Sequence, residues 1–115
     1  MAQVNLSGTV CGKEGEPPVT VKTLGESYTI AEFSIRDSEY FYYKGEDRPG
    51  QFYNVQVGGK AAQLVADRLS RGDFISVTGQ LVQRLYEGKT YLDVKDARVN
   101  QAYKAPDDQP KNDPF

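Results

Sequence analysis

The 115-residue chain has no histidine, no tryptophan, a single cysteine and a single methionine. Without histidine it lacks the commonest general base at neutral pH, which removes Ser-His-Asp, Cys-His and most metal-hydrolase arrangements. Cys11 alone closes no intrachain disulfide and, with no second thiol or imidazole, supplies no zinc site. A reducing, cytoplasmic setting is the expectation. Long hydrophobic runs are also missing: mean hydropathy is -0.61, and the apolar residues, 38% of the chain, are scattered in short stretches. Neither a membrane span nor a signal peptide fits. At this length one domain is expected, with no enzymatic activity, no cofactor and no metal.

The net charge of -2 argues by itself against a phosphate-rich partner, but its distribution says otherwise. Residues 1–47 carry four Lys/Arg against eight Asp/Glu, whereas residues 48–104 carry nine against five. The last eleven residues add Asp107, Asp108 and Asp113 against Lys111, so the tail holds the whole net charge. The second half of the body is basic.

Period-two alternation marks the strands. Val4, Leu6, Gly8 and Val10 form the inward set of the first, and a Gly/Glu/Pro-rich loop to about Ser27 follows, with room for an extra extended piece at 19–23. Tyr28–Arg36 changes its apolar face near Ala31, which predicts a bulge. Residues 37–50 suggest a long hairpin. Phe52–Gly58 alternates again, with Tyr53, Val55 and Val57 inward. Lys60–Ser70 is the one helix, by the spacing of Ala61, Leu64, Val65 and Leu69, with Gly72 to end it. Asp73–Tyr86 and Lys89–Val99 then pair through a Glu87-Gly88 turn. Three strands, a helix and two strands predict a mostly β OB-fold: a five-stranded Greek-key barrel whose helix lies between strands three and four. The domain is expected over 1–103, with a short acidic, Pro-rich and disordered tail over 104–115.

Four consecutive aromatics, Tyr40, Phe41, Tyr42 and Tyr43, put rings on both faces of an extended segment, of which a barrel buries one. The others face a partner, the hairpin or a second subunit. Arg36, Lys44 and Arg48 lie near them in sequence, and outward Phe52 and Tyr86, with Arg84 beside the latter, each break a polar face with a ring. Rings edged by cations make a stacking surface for unpaired bases. Gly88-Lys89-Thr90 ends like a phosphate-binding loop, but a strand follows it and not a helix, so it is a hairpin turn. Asp93 and Asp96, three apart on a strand, point to opposite faces and are read as solvated.

The run from Phe52 through Val55, Val57, Gly59 and Lys60, the helix ending at Arg71-Gly72, the Val77-Thr78-Gly79-Gln80-Leu81 segment and Lys89–Val94 resemble the bacterial single-stranded DNA-binding proteins over about residues 2–100. Such a resemblance implies a homotetramer that binds single-stranded DNA without sequence preference and protects it during replication, recombination and repair. Residue by residue, it implies stacking at Tyr40 or Phe41, Phe52 and Tyr86; Arg36, Lys44, Arg48, Lys60 and Arg84 are the basic residues expected to meet the phosphates. Gly58 departs from the family, which usually carries Phe or Trp just before Gly-Lys, and the expected consequence is weaker binding per subunit than in a typical relative or a displaced contact through Tyr43 or Tyr53. The family's acidic tip closing on Pro-Phe looks like Asp113, Pro114 and Phe115 here, and with Asp107 and Asp108 it is expected to dock on replication and repair proteins. Lys111 and the missing long linker are departures. Rival readings are an OB-fold adaptor acting mainly through protein contacts, as in a primosome, and an RNA-binding OB module.

Overall fold

A computed structural model describes residues 2–25, 27–37, 51–104 and 112–114, the last stretch by its backbone alone. Its elements are β1 (Ala2–Val10), β2 (Thr20–Leu24), β3 (Tyr28–Asp37), β4 (Gln51–Gly58), α1 (Lys60–Arg68), β5 (Phe74–Tyr86), β6 (Lys89–Tyr103) and β7 (Asn112–Pro114). Five of these close a barrel. β1 pairs antiparallel with β5 from Ala2↔Leu81 to Thr9↔Phe74, β5 with β6, β6 parallel with β4 at Asn54↔Asp93 and Val55↔Val94, and β4 antiparallel with β3. The circuit returns to β1 through Thr9↔Arg36 and Val10↔Ile35. The helix falls between the third and fourth barrel strands, so the OB-fold expected from element order is the fold observed.

The alternation that marked the strands also fills the barrel. Val10, Ile35, Val55, Val57, Ile75, Val77 and Val94 are fully buried, and β-branched side chains suit a pleated inner face. α1 and the residue that follows it close one end with Ala62, Val65 and Leu69. This stripe differs from the expected one: Ala61 and Leu64 are exposed, because the helix enters from Gly59, whose amide hydrogen-bonds to Thr29 O at 2.9 Å, and that entry rolls Ala62 toward the strands. After Arg68 the chain turns extended at Leu69 and reverses at Gly72, φ 92°. Buried Asp73 fixes the reversal by accepting from Ser70 N at 2.8 Å and pairing with Lys104 Nζ at 3.1 Å. Lys104 also donates to Arg68 O.

Three details depart from the sequence expectations. The extra extended piece is a full strand, β2, pairing along β3 from Thr20↔Glu32 to Leu24↔Tyr28. β3 has no bulge at Ala31, since its register with β4 runs unbroken from Ile30↔Gly58 to Asp37↔Gln51. Tyr28 and Ile30 sit on the outer face without distortion because Gly58, beside them, has no side chain to compete for the space. Register shifts occur instead in the β5–β6 pairing, between Ser76/Val77 and Thr78/Gln80. The predicted β5–β6 turn is present, with Glu87 and Gly88 both at positive φ, 49° and 78°, as a two-residue hairpin of primed type requires. The backbone of Asn112–Pro114 adds a short antiparallel strand along Gln101–Tyr103, which the sequence reading did not include. Among the described residues no helix is long and apolar enough to cross a membrane.

Candidate nucleic-acid interface

The outer faces of β3 and β4, together with the β5–β6 hairpin and the loop after β1, enclose a groove of about 920 Å3. Its floor is polar and fixed by hydrogen bonds across four strands. Ser34 Oγ donates to Asn54 Oδ1 at 3.0 Å, Asn54 Nδ2 donates to Asp93 Oδ1 at 3.2 Å, and Arg84 Nε donates to Asp93 Oδ2 at 2.7 Å. The Arg84 guanidinium also lies 4.8 Å from the centroid of the Tyr91 ring, within cation–π range. Farther along, Glu32 accepts from Gln56 at 3.3 Å and pairs with Lys22 at 2.8 Å.

Asp93 is 4% exposed, which corrects its reading as a solvated carboxylate. It points outward from the barrel as expected, but the hairpin folds Arg84 over it. Burial alone would push its carboxyl up; the hydrogen bonds from Arg84 and Asn54, with the charges of Arg84 and Lys95, outweigh that and hold it below the ordinary value. The same hydrogen bond to Asp93 pushes the Arg84 guanidinium up. Both carboxylates of the groove are therefore ion-paired, and the groove is not acidic.

A second cleft, of about 390 Å3, is lined by Phe52, Arg36, Arg71 and the start of the loop after β1. Cys11 and Gly12 line both spaces, so the two adjoin where the chain leaves β1. Burial pushes the Cys11 thiol up despite the opposing Arg36 charge, so it stays a neutral wall. Lys13, Arg36, Arg71, Arg84 and Lys95 line the pair of clefts against Glu32 and Asp93. The joined surface is cationic in a chain whose net charge is negative.

The expected site residues divide accordingly. Phe52 is 52% exposed beside its cross-strand partner Arg36, and Tyr86 is 56% exposed at the hairpin end of the main groove, beyond Arg84. These four are brought together. Lys60 is not: it starts α1 in a separate cleft with Ser27, Thr29 and Gln63. Tyr40, Phe41, Lys44 and Arg48 lie outside the described residues, as do Asp107, Asp108 and Phe115 in the tail. Asp113 and Pro114 are placed by backbone only, in β7. Tyr91, Lys13, Lys95 and Arg71 join the site without having been singled out. Tyr91 and Lys95 were readable as outward positions of their strand; nothing local marks Lys13 or Arg71, which reach the clefts through the barrel's closure.

Residues 1–103 match the single-strand binding protein family. The chain belongs to that family. Among solved structures it is similar to the wild-type single-stranded DNA binding protein from Thermus aquaticus, at 19% identity and a TM-score of 0.56, a likeness of fold. The match covers 87% of this chain and 53% of that one, so the chain spans about half the length of that relative. No curated protein matches. Members of this family are binding proteins and not enzymes, and among the described residues no cluster of metal-ligating side chains occurs.

Proposed function

We propose that this protein binds single-stranded DNA in the joined clefts, with bases stacked on Phe52 and Tyr86 and phosphates met by Arg36, Arg71, Arg84, Lys13 and Lys95. One observation carries the reading: exposed rings stand at both ends of a continuous cationic surface whose own carboxylates are already paired. Stacking tolerates any base because every base has a π-face, so the binding is sequence-tolerant and suits protection of exposed strands in replication, recombination and repair. Tyr40, Phe41, Lys44 and Arg48 supply further stacking and phosphate contacts in this reading, and Lys60 makes at most a peripheral contact. The tip, Asp107, Asp108, Asp113, Pro114 and Phe115, recruits partner proteins in the cytoplasm. A homotetramer forms through β1, whose edge opposite β5 is paired only at Thr9 and Val10 among the described residues.

The test is fluorescence anisotropy with labelled oligo-dT, oligo-rU and duplex. Phe52→Ala and Tyr86→Ala are each expected to raise Kd for oligo-dT about 5- to 150-fold, the range spanned by base–aromatic stacking in single-strand binders of this class. Equal affinity for duplex overturns the reading, and stronger binding of oligo-rU favours an RNA module.

A further inference from the structure

β4 presents four positions to the outer face: Phe52, Asn54, Gln56 and Gly58. The first carries a ring, the next two make the hydrogen-bonded floor, and the last carries nothing. Yet the space above Gly58 is filled. A Cβ built there would stand 2.8 Å from Tyr28 Cζ and overlap the Tyr28 hydroxyl, so the phenol end of Tyr28, two positions from Ile30 on the adjacent strand, lies across the glycine. Tyr28 is nonetheless 49% exposed, and its cross-strand partner Leu24 is 51% exposed. The phenol end of the ring is thus seated over the glycine while half of the residue stays exposed, with an apolar cross-strand neighbour at its side.

Supported on the sheet in this way, the ring loses little conformational freedom when a flat ligand settles on it, which is what makes an aromatic side chain a good stacking partner. Its position also fits. From Phe52 to Gly58 is six residues, about 20 Å of strand. The outer face of β3 and β4 therefore runs from one exposed ring, over a polar floor, to another. Ile30, the intervening outward residue of β3, is half-buried, and the charged residues beside it, Lys22 across from Ile30 and Glu32 across from Gln56, neutralise each other in an ion pair at 2.8 Å. The expected substitute for a side chain at 58 was Tyr53 or Tyr43. Tyr53 belongs to the inward set of β4 and is half-buried against the core, on the wrong face of the sheet, while Tyr43 lies outside the described residues.

We infer that Tyr28 is a base-stacking residue of the interface, standing over Gly58 and receiving an unpaired nucleobase at the end of the platform opposite Phe52. This rests on the single-stranded DNA reading and adds to it a contact supplied from the neighbouring strand. Gly58 is then required as the seat of the ring: any side chain there displaces Tyr28.

The experiment measures oligo-dT binding to Tyr28→Leu, Tyr28→Phe and the swap Tyr28→Ala/Gly58→Phe, with Phe52→Ala as reference. Tyr28→Leu keeps an apolar cover on Gly58 but no π-face, and Kd is expected to rise about 5- to 150-fold. Tyr28→Phe retains parental affinity, and the swap, which returns a ring to the same patch from β4, recovers most of the loss. A second measurement needs no variant: photocrosslinking of bromodeoxyuridine-substituted oligonucleotides to the intact chain is expected to give an adduct at Tyr28. Parental affinity in Tyr28→Leu with a loss in Phe52→Ala overturns the inference and leaves the DNA reading intact. Adducts at Phe52 or Tyr86 without one at Tyr28 do the same. Equal binding of single strands and duplex by the parent overturns both.

Discussion

A carboxylate on the floor of a groove proposed to receive phosphates would repel that ligand unless its charge were spent, and Asp93 spends it on Arg84, 2.7 Å away. The same pair aims the guanidinium along Tyr91. Arg84→Ala therefore does two things, removing a cation from the interface and exposing Asp93 to the incoming backbone. It is expected to weaken oligo-dT binding and to flatten the slope of log K against log salt by about 0.7, while Arg84→Ala/Asp93→Asn recovers part of the affinity; salt titrations of the three proteins read both effects. The pair also links fold to pH. Because the Asp93 carboxyl is held below its ordinary value of 3.8, the native state binds fewer protons than the unfolded chain there. Its contribution is present above that value and is lost as pH falls through the lower native one. The stability deficit of Asp93→Asn, read from urea midpoints, is accordingly largest at neutral pH and shrinks in acid.

At the scale of elements, the groove depends on where β6 departs from regular pairing. Between Thr78 and Gln80 the register with β6 shifts, Asp96 adopts φ 51°, and β6 folds in over Gly79. A Cβ at Gly79 would meet Val94 Cγ1 at 2.6 Å and Lys95 O at 2.9 Å, the second of them backbone that cannot swing aside. Gly79→Ala is expected to cost about 1–3 kcal/mol, measured by urea unfolding, and to weaken DNA binding by shifting Asp93 and Lys95 at the groove floor. Some of this was legible in the chain and some was not. Alternation located every barrel strand in the described residues, and Glu87-Gly88 announced its hairpin, because period and turn chemistry are local. The helix stripe was read one residue off at Ala61 because the entry through Gly59, bonded to Thr29, sets its roll. The bulge was expected at Ala31 and found in β6 because an apolar residue on an outer face needs only a small neighbour, here Gly58, which alternation cannot reveal.

For the whole molecule, charge is arranged so that a net-negative chain carries a cationic face. The sequence disclosed the basic half but not that Lys13, in the acidic half, and Arg71, after the helix, meet at the clefts, since barrel closure brings them there. Phe52 and Tyr86 were legible as rings on polar faces; Tyr28 was not, because its importance lies in what Gly58 lacks. The acidic tail over 105–115 is expected to compete with DNA for this face. Removing residues 105–115 is expected to tighten oligo-dT binding at low salt and to change it little at high salt, where screening already silences the competition; anisotropy at the two ionic strengths reads the difference. The circuit of strands is joined on one side of β1 by eight residue pairs and on the other by two, Thr9↔Arg36 and Val10↔Ile35. Arg36 also fronts the cleft beside Phe52, so a strand bound there as proposed would lean on the clasp of the hoop itself. Oligonucleotide bound across that cleft would then raise the temperature at which the clasp opens.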